Sequence, residues 1–287
     1  MTVRRRLLSL LMKEDLNFLL TNRIPRRVAT KAVGRVARIC HPLVARPALA
    51  TWRFFCDVDL SDSETTRFAS LKDGFTRALR PGARPFDPDP AVVASPCDAL
   101  IGAHGDIEED RAYQTKGFPY RLDELIPDPE LVARVRGGKF VTLRLTASMY
   151  HRMHAPHDIH VEGVTYLSGD CWNVNPIALK RVRNLFCRNE RAVIEARLPG
   201  GEPLLIVPVA AILVAGIRLT FLDTERLLRE RGPGRTAVDA DLAKGEELGW
   251  FEHGSTVILF APPGFDFATG VVDGAGLRAG EPLLRRA

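Results

Sequence analysis

Cysteine is scarce and shows no paired spacing. The 287-residue chain has five, Cys40, Cys56, Cys97, Cys171 and Cys187, and no two form a Cys-x-x-Cys pair. Neither a disulfide framework nor a cysteine zinc site is supported, and a reducing compartment is expected. No apolar run is long enough to span a bilayer. The longest, residues 203–217, has 15 residues and includes Pro208 and Gly216, short of the ~20 that a membrane helix needs. It reads as one or two buried strands. No signal peptide is read either: after Arg4-Arg5-Arg6, the apolar residues 7–12 run into Lys13-Glu14-Asp15 with no small-residue cleavage site. Glycine (23) and proline (20) are too few and too aperiodic for collagen or low complexity, and no internal repeat is visible. What remains is ordinary globular composition, 46% hydrophobic and 26% charged. That is enough chain for one large domain or two small ones with a core of their own.

Acidic residues are nearly missing from one end. Residues 1–54 hold 12 Lys and Arg against two acids, Glu14 and Asp15, while the rest holds 28 basic against 33 acidic. A basic arm is thus joined to a mildly acidic body, and such an arm calls for an anionic partner. Apolar residues recur through it at mixed helical spacing: Leu7, Leu8, Leu10, Leu11, Leu16, Phe18, Leu19 and Leu20, then Val28, Val33, Val36, Ala37 and Ile39 among basic residues. Basic helices with an apolar face suit the surface of an anionic leaflet. Two other readings stand beside this one: nucleic-acid binding, for which no reading helix or aromatic platform is seen, and helices that simply pack on the body.

The coarse architecture is α+β. Residues 1–55 read as helices, with Ser61 or Ser63 as the cap of a following one. The proline-rich stretch 80–90 reads as an extended linker. Strands are expected at 92–94, 140–145, 161–167, 192–196, 204–207, 212–219 and 256–260. A helical arm over 1–60 and a strand-rich, mainly antiparallel body over 61–287 are expected.

Three clusters carry chemistry. His151, His154, His157 and His160 fall within ten residues, but Pro156 interrupts any helix that would align them and no cysteine completes a shell, so no metal site is expected. His157 and His160 read as bystanders. His253-Gly254-Ser255-Thr256 leads into an apolar run, a turn that can present the Ser255 hydroxyl. Ser95-Pro96-Cys97-Asp98 reads as an Asx-type turn. Asp98, a histidine of the 151/154 pair and Ser255 are the types that make an Asp–His–Ser relay.

These pieces occur in the order found in a known family. Phe75-Thr76-Arg77, Leu79-Arg80-Pro81, Arg84-Pro85 and Ser95-Pro96-Cys97-Asp98 come first. Gln114-Thr115-Lys116-Gly117, Tyr150-His151-Arg152-Met153-His154-Ala155-Pro156 and Asn184-Leu185-Phe186 with Arg188-Asn189-Glu190-Arg191 follow. Lys244-Gly245-Glu246-Glu247-Leu248-Gly249 and Gly254-Ser255-Thr256 close the set. The chain resembles the phosphatidylserine decarboxylases, pyruvoyl-dependent, self-processing enzymes of phospholipid synthesis. The resemblance implies that Asp98 and His154 activate Ser255, whose hydroxyl attacks the Gly254 carbonyl. It implies an ester, β-elimination, and hydrolysis to a pyruvoyl group at 255 with loss of ammonia. The products would be a large subunit, 1–254, and a small one, 255–287. It further implies a Schiff base between the pyruvoyl carbonyl and phosphatidylserine, loss of CO2, and phosphatidylethanolamine as product, with His151 as the proton donor. A peripheral enzyme on the cytoplasmic side of the cell membrane is expected, with no nucleic-acid partner; the sequence leaves the oligomer open, a homodimer among the alternatives. The sequence departs from the family at Ala99 and at Ala210 and Ala215, where glycines are usual, at Met149, often aspartate, and at His253, usually leucine. Two competing readings are a non-processing membrane-binding relative and a Ser–His–Asp hydrolase. The second lacks the Gly-x-Ser-x-Gly elbow.

Overall fold

The computed structural model describes residues 3–11, 13–115, 117–212, 216–252 and 255–287. Gly254, His253, Lys116 and Ala215 lie outside the described residues, as do the side chains of Leu7, Leu8 and Ser255. Four helices open the chain: α1 (Val3–Leu11), α2 (Glu14–Asn22), α3 (Arg26–Ala37) and α4 (Pro42–Phe55). Pro42 sits in the first turn of α4, where its missing N–H costs nothing. A short α5 (Leu71–Phe75) follows. Its cap is Ser70, whose Oγ accepts the Asp73 N–H at 3.1 Å. The cap expected at Ser61 or Ser63 is corrected: Ser63 spends its hydroxyl on the Thr65 carbonyl at 2.6 Å, inside an irregular stretch.

The body begins with β1 (Val92–Ala94), β2 (Ala99–Asp106), β3 (Arg111–Thr115) and β4 (Phe118–Arg121), then α6 (Leu122–Leu125) and α7 (Pro129–Val135). Next are β5 (Lys139–Arg144), β6 (Arg152–His154) and β7 (Ile159–Leu167), then α8 (Pro176–Leu179) and α9 (Leu185–Arg188). After them come β8 (Arg191–Arg197), β9 (Pro203–Ala210), β10 (Ile217–Leu219) and α10 (Thr224–Glu230). The chain closes with β11 (Gly234–Leu242), β12 (Glu247–Phe251), β13 (Ser255–Ala261), β14 (Phe265–Phe267), β15 (Gly276–Leu277) and β16 (Pro282–Arg286).

Eight strands form the main sheet in the order β11-β7-β8-β9-β13-β5-β2-β15, and each adjacent pair is antiparallel. The architecture is α+β, with helices first and a strand-rich body. Residues 256–261 of β13 are fully buried, as befits a central strand with both faces covered, and this is why they read as one apolar run. A smaller sheet, β10-β12-β6, carries the histidine-bearing strand. The strand expected over 212–219 is shorter: Ile212 lies in a turn and β10 begins at Ile217. Ala99 starts β2 without a positive φ, so alanine is accommodated where the family has glycine.

The helical arm packs on the body rather than standing away from it. Arg26 pairs with Asp170 at 2.5 Å and lies over the Trp172 ring at 3.6 Å. Asn17 accepts from the Asn175 side chain at 2.7 Å, and Trp52 Nε1 donates to the Ala147 carbonyl at 2.8 Å. Among the described residues no helix is long and apolar enough to cross a membrane.

Candidate active site

Strand β6 pairs with β12, setting His154 across from Glu247. On the other side the His154 backbone N–H donates to the Pro96 carbonyl at 2.8 Å. That bond draws the Ser95–Asp98 turn against the histidine strand. The two side chains then find different partners. The Asp98 carboxylate accepts from Arg84 Nε at 2.8 Å, Arg84 Nη2 at 2.6 Å and the Ala279 N–H at 2.9 Å. The Nδ1 of His154 lies 2.9 Å from the Gly245 carbonyl, and its Nε2 lies 2.9 Å from the Tyr150 hydroxyl.

A carbonyl only accepts, so Nδ1 of His154 carries a proton. The neutral ring therefore has its lone pair on Nε2, which accepts from Tyr150. Here the tautomer is set by Gly245, and Asp98 acts on the ring through its field. Burial pulls the His154 pKa down; the bond to Gly245 and the charges of Glu247 and Asp98 oppose it only in part. The ring is thus held neutral, the state a general base needs. Gly245 has a left-handed φ of +87°, and a Cβ there would come 3.0 Å from the Phe86 ring, so glycine alone fits. Phe86 in turn packs on His154, with ring centroids 5.7 Å apart.

His151 is fully buried. Its Nδ1 donates to the Met149 carbonyl at 2.9 Å, and its ring meets Phe75 at 5.3 Å. Its own carbonyl accepts the Phe251 N–H at 3.0 Å. Phe251 ends β12, and Ser255, four residues on, opens β13. There Ser255 pairs with Ala210 of β9, and Thr256 with Arg144 of β5. The backbone thus sets the Ser95–Asp98 turn against the strand of His154, and His151 against Phe251 at the end of β12. Among the described contacts, Asp98 bonds Arg84 and Ala279 rather than His154.

Between helices α3, α4 and α5 and this end of the sheet lies a cavity of about 620 Å³. Val33, Trp52, Phe55 and Phe75 form one wall; Arg144 and Ala211 stand on the other. Ala211 follows Ala210, the partner of Ser255, so the cavity borders the head of β13.

Four contributors escaped the sequence reading. Tyr150 and Arg84 stood inside quoted motifs without a role. Arg144 read only as part of a strand. Glu252 gave no signal at all, because its partners come from three distant elements. Its side chain is 1% exposed and pairs with Arg38 of α3 at 2.7 Å, Lys72 of α5 at 3.0 Å and Arg218 of β10 at 3.3 Å. The other two histidines do not converge on the site. His157 bridges backbone carbonyls of Pro90 and Asp158, and His160 pairs with Asp241 at the surface. Among the described residues no group of three or more His, Cys, Asp or Glu side chains is arranged to hold a metal ion.

Comparison with known proteins gives the family. The family model for phosphatidylserine decarboxylase matches residues 71–285. A phosphatidylserine decarboxylase proenzyme of Anaeromyxobacter sp. (strain K) is 36% identical over 271 residues, covering 91% of this chain and 94% of that protein. One from Halorhodospira halophila (strain DSM 244 / SL1) is 37% identical over 276 residues, covering 92% of each. One from Brevibacillus brevis (strain 47 / JCM 6285 / NBRC 100599) is 32% identical over 281 residues, covering 93% and 96%. These relatives are named as decarboxylase proenzymes, and the chain is an enzyme. The chain belongs to the phosphatidylserine decarboxylase family.

Proposed function

We propose that this protein decarboxylates phosphatidylserine to phosphatidylethanolamine and CO2, at a pyruvoyl group made from Ser255 by self-cleavage after Gly254. The observation that carries this reading is the setting of residue 255: it heads a central strand, beside an apolar cavity, four residues after the strand end whose Phe251 N–H bonds the His151 carbonyl.

In the precursor, neutral His154 takes the Ser255 hydroxyl proton on Nε2 once Tyr150 has released it. The alkoxide adds to the Gly254 carbonyl, and the amide nitrogen leaves to give an ester. Asp98 favours the imidazolium by charge, and Gly245 holds the ring's tautomer. Elimination across the 255 Cα–Cβ bond releases the 1–254 chain, and hydrolysis with loss of ammonia gives the 255–287 chain its pyruvoyl end.

The surroundings fit such a group, because the residue after it is locked into the ladder and the adjoining space is apolar. When formed, the pyruvoyl group supplies a carbonyl electron sink for departing CO2. His151, buried and oriented by the Met149 carbonyl, carries a second proton on Nε2 when charged and delivers it to the carbon that CO2 leaves. Burial of this pocket excludes bulk water from that proton transfer.

The arm holds the enzyme at an anionic leaflet, peripherally and on the cytoplasmic side. The exposed large apolar side chains among the described residues, Tyr113 and Val272 excepted, lie between Leu10 and Phe55, with Leu43 81% exposed. They are interspersed with the basic residues of α3 and α4, as interfacial binding requires. The division at residue 60 separates this membrane-facing part from the catalytic body.

The direct test is release of CO2 from phosphatidylserine vesicles by the purified protein, absent for Ser255→Ala. A correctly cleaved protein that releases none would overturn the proposal.

A further inference from the structure

Arg144, at the end of β5, has no counter-ion among the described residues. Its Nε is buried with no hydrogen-bond partner, and no carboxylate among the described residues offsets the burial that pulls its pKa down. A half-buried guanidinium left this way is costly unless something anionic completes it. Three other buried or half-buried arginines show the contrast, and a fourth, Arg77, whose Nε is also unpartnered, still donates to the Gly74 and Ser148 carbonyls. Arg84 has Asp98 and Asp62, Arg191 has four backbone carbonyls, and Arg152 has Glu247 and the Thr76 carbonyl.

Its position is as telling as its isolation. Arg144 lines the apolar cavity between the arm helices and the sheet, and it stands directly across the ladder from Thr256, the residue after Ser255. A ligand filling that cavity with apolar chains and reaching residue 255 with its polar end passes Arg144 at the junction. We propose that Arg144 binds the phosphodiester of the phospholipid substrate and so positions the headgroup at residue 255. This rests on the decarboxylase reading above.

The headgroup offers two anions, and the chemistry chooses between them. The carboxylate must lose its charge as it departs as CO2. A cation bound to it would stabilise the ground state more than the transition state and slow the reaction. The phosphodiester keeps its charge throughout, so binding it holds both states equally. A guanidinium also matches phosphate oxygens with two parallel N–H bonds.

The test uses the processed enzyme and soluble short-chain lipids. KM and kcat are measured with dihexanoyl phosphatidylserine, and the inhibition constant with dihexanoyl phosphatidylethanolamine, which has the phosphodiester and no carboxylate. For Arg144→Met and Arg144→Gln, KM and the inhibition constant should both rise ~10- to 100-fold, with kcat nearly unchanged. Arg144→Lys should recover part of that loss. An inhibition constant that stays put while KM rises would assign Arg144 to the carboxylate and overturn the proposal. So would unchanged values of both, or a fall confined to kcat. Should Arg144→Met fail to fold, Arg144→Gln carries the same test. Wild-type protein that releases no CO2 would sink the decarboxylase reading instead, whereas active wild type with unaffected variants sinks only the role of Arg144.

Discussion

Arg38 of the basic arm donates to Glu252 at 2.7 Å, two residues before Gly254. With Lys72 and Arg218 on the same carboxylate, one buried acid, the residue that follows β12, ties together the arm, the helix after it and strand β10. The contact makes the arm part of the candidate site's support.

Glu252→Gln keeps the shape and removes the charge, leaving three cations facing one another. It should cost about 2–3 kcal/mol, less than a fully buried pair because Arg38 and Lys72 are partly solvated. Thermal melting of the Ser255→Ala background, which cannot cut, isolates that stability loss. In the Ser255-containing chain the same substitution should slow cutting. The pH dependence follows in sign. Burial alone would raise the Glu252 carboxyl, but Arg38 and Lys72 outweigh it and hold it below its ordinary 4.5. Its stabilising contribution is therefore present above that value and is lost as pH falls below it. A melting temperature that falls in acid equally for Glu252→Gln and its parent would contradict this.

The Tyr150–His154 contact makes a second prediction. Tyr150 donates to the neutral form of the ring and, with burial, favours that form. Tyr150→Phe should then raise the His154 pKa toward the ordinary 6.5. The neutral base would be lost at a higher pH, so the acid limb of the self-cleavage rate should move upward. Cell-free synthesis followed by timed gels at several pH values reads this. His154→Ala and Asp98→Ala should leave the chain uncut, the first by loss of the base and the second by loss of its field and of the Arg84 pairing. Normal fragments from both would remove the relay.

Much of the fold was legible because of where burial falls. Residues of β13 and β9 are covered on both faces, so they appear as apolar runs that punctuation by glycine and proline delimits. β11 was missed because it is an edge strand in the order of the sheet, with exposed and half-covered residues alternating along it. β6 and β12 were missed because three to five residues of mixed polarity carry no period of their own. The site was legible in its residue types and order, not in its hydrogen bonds. Nothing local in the sequence pairs Asp98 with Arg84, or aims the Gly245 carbonyl at a histidine 91 positions away.

The arm's exposed apolar residues predict vesicle binding. Leu43→Glu, at the most exposed of them, adds like charge to an anionic surface and removes an apolar contact. It should weaken binding to phosphatidylserine-containing vesicles about tenfold with little change in melting temperature. Wild-type binding should fall as salt rises. Sedimentation with vesicles measures both, and binding indifferent to salt and to the substitution would make the arm a purely structural part of the fold.

The central claim is that Ser255 becomes the cofactor, and the intact mass of the denatured, purified protein tests it most directly. The account predicts two species, residues 1–254 and residues 255–287, the smaller with a pyruvoyl group in place of its serine and no free N-terminal amine. A single uncut chain of 287 residues that still releases CO2 from phosphatidylserine would contradict it.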